Sequence, residues 1–202
     1  GLSAIINSIV IALTSSLTAV SLSSAIAISS VRRKSRIVPL LTSLPMAAGS
    51  VSLGLGFSFL ASSIRGKTLL LSYILVMLAH LVTVMPFAIR TMMPGAKRIP
   101  ERLEYASMSL GKSQYYTYRK IDRPMLSPYR RRAFAFAFAL SMGEVNATMA
   151  LAEGKVTTLP ILIYKMINQY IYQGASALAL LLLILAITVF SIGEREEKNA
   201  IS

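Results

Sequence analysis

Two titratable side chains, His80 and Glu144, stand inside long apolar segments, where an ionised group costs about 2.5 to 3.5 kcal/mol. A carboxyl group in such a place faces a cavity or a partner, or it is protonated. Ser141 and Thr148 are expected to share the face of Glu144 at i−3 and i+4. We interpret Glu144, Ser141, Asn146, Thr148 and His80 as candidates for a substrate path or gate. Hydrogen bonding between helices explains Glu144 equally well, and it explains His80 better.

The residue types exclude several other kinds of chemistry. The chain has no cysteine and a single histidine, so it offers almost no ligands for a metal ion. No nucleophile and base are visible as a pair inside the apolar segments. Residues 110–113, Leu-Gly-Lys-Ser, end like a phosphate-binding loop, but Ala106 stands where that loop requires glycine, and no strand precedes it. We therefore expect no catalytic residues and no metal site in this chain.

Composition places these residues in a membrane protein. The 202 residues are 54% hydrophobic and 14% charged, with a mean hydropathy of +0.62, whereas about a quarter of the residues of soluble domains are charged. The net charge of +13 would fit a nucleic-acid partner. The positions of the basic residues argue against a nucleic-acid partner, because most Lys and Arg residues cluster around Arg32 and between Arg90 and Arg132, at the ends of apolar runs. Lipid headgroups require positive charge there, so we expect no nucleic acid.

Five apolar runs are long enough to cross a bilayer as helices, which takes about 20 residues each. They lie at 4–30, 37–63, 69–93, 133–151 and 161–192. The second contains small residues, including Ser50, Gly54 and Gly56, which let helices approach closely in lipid. The fifth is longer than a span requires, and is therefore tilted, broken or extended beyond the membrane. The predicted fold is an all-α polytopic membrane protein with about five transmembrane helices.

The distribution of positive charge predicts the orientation of the spans. Because cytoplasmic loops carry an excess of Lys and Arg, the Arg32 cluster and the segment between Arg90 and Arg132 are expected in the cytoplasm. With five spans, the N-terminus then lies outside and the C-terminus inside. The chain opens at Gly1 without an initiator methionine, so we expect it to be part of a longer protein.

A charged, helix-forming segment at 100–124 separates the third and fourth runs. Its first helix is expected to begin at Glu101 and to end near Gly111, a residue type favoured just after a helix. The apolar stripe of this helix consists of Leu103, Ala106 and Leu110.

A second, shorter helix is expected after Ser113, whose side chain can cap it, and Pro124 is expected to close it. Ser127 then caps the helix of the fourth span. Such a hairpin either anchors the protein to anionic lipid or presents a docking surface to a partner. Periodicity does not separate these two readings.

The same segment resembles the cytoplasmic coupling motif of ATP-binding cassette importer permeases. That motif reads Glu-Ala-Ala, three residues, Gly, nine residues, Ile, one residue, Leu-Pro. The matching residues are Ala106, Ser107, Gly111, Ile121 and Pro124. In this family the hairpin sits in a groove of the cytoplasmic ATPase subunit, which implies an ATPase-coupling role for these residues.

Two positions depart from the motif. Tyr105 stands at the place of its Glu, with Glu104 one position early, and Arg123 stands at the place of its Leu. Tyr105 therefore cannot make the carboxylate contact that the Glu of the motif implies. Residues 141–148 and 158–164 are also similar to segments of fused permeases for iron(III) and thiamine. Since those proteins carry two halves in one polypeptide, the chain is expected to be one half, most like the C-terminal one.

The resemblance implies a transmembrane permease subunit and not an enzyme. The implied partners are two cytoplasmic ATPase subunits, a second permease half or copy, an extracytoplasmic substrate-binding protein and membrane lipid. The implied membrane is the bacterial inner membrane, and the implied substrate is iron(III), thiamine or a related small solute. No cofactor is expected in this chain, because ATP and Mg belong to the partner subunits.

A second function of a different class remains open from the residues alone. The chain could be a membrane scaffold or assembly protein whose basic face binds anionic lipid or a cytoplasmic partner without transport. A fixed stoichiometry with an ATPase subunit would favour the importer, and a complex with lipid alone would favour the scaffold.

Overall fold

A computed structural model of the protein describes residues 1–35, 37, 40, 42–62, 68–152 and 156–201. For residues 60–62, 152 and 193–201 it describes the backbone and not the side chains. Across this described part the regular structure is helical, without strands, as the sequence predicts. The helices are α1 (Leu2–Arg32), α2 (Leu44–Ser62), α3 (Leu69–Arg98), α4 (Glu101–Ser109), α5 (Gln114–Thr117), α6 (Arg123–Met125), α7 (Ser127–Met142), α8 (Asn146–Ala152), α9 (Leu159–Asn168) and α10 (Tyr172–Ile201).

Three helices of the described part are long and apolar enough to cross a membrane, namely Leu2–Arg32, Leu69–Arg98 and Tyr172–Ile192. The apolar helices Leu44–Phe59 and Leu159–Asn168 are shorter. Helices α1, α3 and α7 pack on one another as the centre of the bundle, α10 packs on α7, and α2 packs on α3 and α8. The chain is thus an all-α, multi-pass membrane protein.

Small side chains allow the central helices to pack closely. The buried face of α1 alternates alanines with serines, which include Ser15, Ser16 and Ser24. The Ser15 hydroxyl donates to the Ile11 carbonyl at 2.6 Å, one turn back along the helix. Such local bonds satisfy hydroxyl groups where water is absent, so serine can take the place of alanine on a buried face.

Helix α2 makes the close approach that its small residues predict. A Cβ atom added to Gly54 would lie 2.9 Å from both Ala147 Cα and Ala150 Cβ on α8. Gly56 has open space around it. Gly49 has a φ of 71° and interrupts the helix. Four positions of the predicted second span, 38, 39, 41 and 63, lie outside the described residues.

Neither of the last two predicted spans is one continuous helix. Within 133–151, α7 ends at Met142 and the chain resumes as α8 at Asn146. Within 161–192, α9 and α10 are separated at 169–171, where Tyr170 takes a φ of 62°. Hydropathy reports how apolar a segment is, and it does not report whether the backbone turns inside that segment.

The Gly54 contact predicts a sharp difference between two glycines of the same helix. Replacement of Gly54 by leucine should lower the melting temperature of the detergent-solubilised protein, because overpacking costs about 1–3 kcal/mol and each kcal/mol shifts the midpoint by ~2–4 °C at this size. Gly56→Leu is the matched control and should melt close to wild type. Equal melting temperatures for the two variants would contradict the close approach.

Candidate functional site

His80 is the centre of a buried set of hydrogen bonds, called here the polar cluster (His80, Ser15, Ser141 and Thr148). Its Nδ1 lies 2.7 Å from Ser141 Oγ, and its Nε2 lies 2.7 Å from Thr148 Oγ1. Ser141 Oγ in turn lies 3.0 Å from Ser15 Oγ on α1. In a neutral imidazole one ring nitrogen donates and the other accepts. The ring therefore joins two hydroxyl groups without needing a charge.

The polar cluster spans a break in the backbone. Ser141 belongs to α7 and Thr148 to α8, and the residues between Met142 and Asn146 are not helical. Because His80 on α3 bonds one hydroxyl on each side of the break, it fixes the two short helices relative to each other. Ser141, Thr148 and His80 are all buried.

Glu144 lies in the break itself, half-buried. Its carboxylate accepts a hydrogen bond of 3.0 Å from the Ala147 backbone N–H, at the start of α8. The prediction that Glu144 shares a helical face with Ser141 and Thr148 is wrong, because that spacing holds only on an unbroken helix. A carboxylate at the beginning of a helix satisfies a free N–H group and complements the helix dipole.

Asn146 also stands apart from the polar cluster. It is exposed, and its Nδ2 donates to Ser50 Oγ on α2 at 3.2 Å. Of the five candidates, the structure thus brings together His80, Ser141 and Thr148. It adds Ser15, which sequence reasoning missed, although the recurrence of serine on one face of α1 was a signal for a polar contact.

The polar cluster lacks the features of a catalytic or metal centre. Within the described ranges no three His, Cys, Asp or Glu side chains converge on a point. The Ser141–His80 pair has the distance of a nucleophile and base, but both side chains are buried, and the second nitrogen of the ring meets a hydroxyl instead of an orienting carboxylate. This arrangement can hold helices together and present hydroxyl groups.

The segment 101–126, called here the hairpin, forms a second site at one end of the bundle. Its turn is built as predicted, with Gly111 at a φ of 71° after the first helix and the Ser113 hydroxyl accepting from the Tyr116 N–H at 3.2 Å. The two arms are joined where Thr117 Oγ1 donates to Ser107 Oγ at 2.7 Å. Ser107 and Thr117 are buried, which makes the hairpin a compact unit.

Pro124 does not close the second arm, contrary to expectation. The chain passes through a π-helical turn, Tyr118–Asp122, into α6, where Pro124 occupies the first turn, and on to α7. Proline is tolerated there because the N–H it lacks has no partner within a helix anyway. Ser127 is the first residue of α7 and makes no capping bond. Leu126 at the junction is fully buried, so the hairpin is continuous with α7.

Three charged side chains, called here the charged clamp, tie the hairpin to the end of α1. Arg32 Nε lies 2.8 Å from Glu104 Oε2, and Arg32 Nη2 lies 2.7 Å from Asp122 Oδ2. Asp122 is fully buried. Burial raises the pKa of Asp122 above its ordinary value and outweighs Arg32, which acts in the opposite direction. Sequence reasoning placed Glu104 in the hairpin but did not anticipate its pairing with Arg32.

The hairpin also carries exposed apolar and aromatic side chains, called here the contact face (Tyr105, Met108, Leu110 and Tyr115). Their exposures are 65%, 50%, 77% and 70%. Tyr105, Met108 and Tyr115 line a groove of about 490 Å³ together with Arg32 and Glu104. Large apolar side chains gathered on one exposed face mark an interaction surface. Tyr105, at the motif Glu position, therefore points outward, whereas Glu104 turns inward to the charged clamp. Ala106 and Pro124 are also exposed, and Ile121 is half-buried.

The charged clamp predicts unequal roles for two adjacent arginines. Arg32→Ala leaves buried Asp122 without a cation, and breaking a buried pair in this way costs about 3–5 kcal/mol. The melting temperature should fall by several degrees, whereas Arg33→Ala, at an exposed position, should leave it unchanged. Adding Asp122→Asn to Arg32→Ala should restore part of the loss. A double variant no more stable than Arg32→Ala would show that the unpaired carboxylate is not the cause.

Comparison with known proteins bears on both sites. No protein-family model matches the chain. The protein named as the 2-aminoethylphosphonate transport system permease PhnV of Salmonella typhimurium is 32% identical over 157 residues, which make up 77% of this chain and 58% of that protein. The protein named as the sulfate transport system permease cysT of Chlorella vulgaris is 33% identical over 115 residues, 55% of this chain and 43% of that protein.

The chain thus spans a little over half the length of the PhnV relative. Both names describe transport permeases and not enzymes, in agreement with the resemblance of residues 105–124 to the coupling motif. The two names do not support iron(III) or thiamine, the substrates that the resemblance of residues 141–148 and 158–164 implied. By its sequence, this all-α membrane protein belongs to the permeases of ABC transport systems.

Proposed function

We propose that the chain forms half of the substrate path in an ATP-driven importer and couples that path to cytoplasmic ATPase subunits. The observation that carries the proposal is the hairpin, whose contact face is exposed while the charged clamp holds the hairpin to α1. A surface that receives force from a partner must be exposed to that partner and fixed to the bundle.

The proposed setting is the bacterial inner membrane, with the hairpin in the cytoplasm. The support is the high content of Lys and Arg at the end of the bundle where Arg32 and the hairpin lie. This orientation puts the N-terminus of the segment outside and its C-terminus inside. The proposed partners are two ATPase subunits, a second permease half or copy, and an extracytoplasmic substrate-binding protein. ATP and Mg would be bound by the ATPase subunits, and this chain would hold no cofactor.

Coupling is proposed to be a rigid-body movement of helices. A displacement of the hairpin passes to α1 through the charged clamp and to α7 through the backbone at Leu126. Helix α7 ends at the break beside Glu144, where the polar cluster joins it to α3 and α8. Movement at the membrane surface would thereby reach the middle of the bundle.

The proposed substrate is a small oxyanion of the phosphonate or sulfate type, in place of iron(III) or thiamine. The support comes from the names of the relatives alone. Glu144 and Asn146 are proposed to line the path, since both lie at or beside the break and neither is buried. The polar cluster is proposed to position this break.

The docking of the hairpin is tested by a charge placed on the contact face. Leu110→Glu leaves the fold intact, because the side chain is 77% exposed, but it brings an unpaired charge into an apolar interface. The ATPase subunit should no longer copurify with the permease, and ATP hydrolysis should no longer respond to substrate-loaded binding protein.

Leu69→Glu is the matched control for this experiment. Leu69 is also an exposed leucine, 56% exposed, but it lies at the start of α3, at the other end of the bundle. Acidic residues are favourable in the first turn of a helix, so this variant should retain the ATPase. If Leu110→Glu retains the ATPase at wild-type stoichiometry, the contact face is not the docking surface, and the scaffold alternative gains support.

Glu144→Gln tests whether the break belongs to the path. The amide oxygen of glutamine can still accept from the Ala147 N–H, so assembly should be unchanged, while the negative charge is lost. Uptake of labelled 2-aminoethylphosphonate or sulfate should fall by about tenfold, roughly 1.4 kcal/mol in the barrier. Glu101→Gln, at an exposed position of the hairpin, is the control. Wild-type uptake by Glu144→Gln would make Glu144 a structural residue.

A further inference from the structure

A groove of about 470 Å³ runs along the outside of the bundle where α1, α7 and α10 meet. Its apolar part is lined by Leu17 and Val20 of α1, Phe134 of α7, and Val189 of α10. Its polar part is lined by Ser127, Arg130 and Arg131, in the first turns of α7. The groove is therefore apolar along most of its length and positively charged at one end.

Arg130 is the unusual member of this lining. Its Nε atom is buried and has no hydrogen-bond partner among the described residues. Neither of the two ion pairs given above, both made by Arg32, includes Arg130. Arg123 lies near enough to repel its positive charge. A partly buried guanidinium without a counter-charge is costly, so this end of the groove favours an anion.

The shape and position of the groove define which anion fits. Leu17 is 55% exposed on a membrane-length helix, so the apolar part opens to the outside of the described bundle. A free inorganic anion would leave that apolar lining unfilled. A molecule with one anionic head and a hydrocarbon chain satisfies both parts.

We propose that this groove binds one anionic phospholipid, with the phosphate at Arg130 and Ser127 and an acyl chain against Leu17, Phe134 and Val189. Such a lipid would contact α1, α7 and α10 at once, and would brace the helix that continues from the hairpin. The inference rests on the membrane setting of the chain and does not depend on its transport activity.

Native mass spectrometry of the purified full-length protein tests the proposal. The protein is exchanged into detergent with equal amounts of phosphatidylglycerol and phosphatidylcholine. One phosphatidylglycerol per chain should remain bound at energies that remove phosphatidylcholine. Arg130→Gln should reduce this retention at least tenfold, whereas Arg119→Gln, which removes an exposed charge from the hairpin, should not change it.

A second variant separates lipid binding from folding and from simple anion binding. Leu17→Gln keeps every charge but makes the apolar part polar at a side chain that is 55% exposed, so it should also lose the retained phosphatidylglycerol while its melting temperature stays near wild type. Added phosphatidylglycerol should raise the melting temperature of wild type, and inorganic phosphate at the same concentration should not. Equal retention of the two lipids, an equal effect of phosphate, or loss of the lipid in the assembled transporter would each overturn the proposal.

Discussion

A carboxylate that is fully buried requires a cation, and in this protein Asp122 obtains it from the last turn of α1. Arg32 meets Asp122 and Glu104 within 2.9 Å, so one side chain joins a membrane-length helix to both arms of the hairpin. The position of the hairpin on the bundle depends on this contact, while the hydrogen bond between Thr117 and Ser107 joins its two arms. The contact face stays exposed beside the charged clamp. Burial raises the pKa of Asp122 and outweighs Arg32, so the ion pair offsets only part of the cost of burying this carboxylate.

The second constraint is the need to satisfy polar groups where water is absent. The backbone between Met142 and Asn146 leaves the helical path in the middle of an apolar segment, and irregular backbone is tolerated there only when protein surrounds it or it lines a cavity. His80 meets this need from α3 by bonding a hydroxyl on each side of the break. Glu144 meets it locally by accepting from the Ala147 N–H at the start of α8. The hairpin and the polar cluster lie at opposite ends of α7.

Much of the hairpin could be predicted from its sequence, because turns and caps depend on neighbouring residues. Gly111 supplies a positive φ and Ser113 supplies a capping hydroxyl, and both act as expected. Pro124 does not act as expected, since its effect depends on whether a new helix starts there. The shared face assigned to Glu144 fails for a related reason. Helical spacing predicts which side chains share a face only where the helix is unbroken.

The sequence by itself determined the class of the protein: apolar runs of membrane length, positive charge gathered at their ends, and a motif spacing that the named relatives support. These features are local or additive along the chain, so they can be read without a fold. Only the tertiary structure decided which polar side chains meet. Arg32 and Asp122 are ninety positions apart, and His80 lies far in sequence from Ser141 and Thr148. Such pairs form because helix packing brings the two side chains together. The number of residues between them along the chain does not predict the contact.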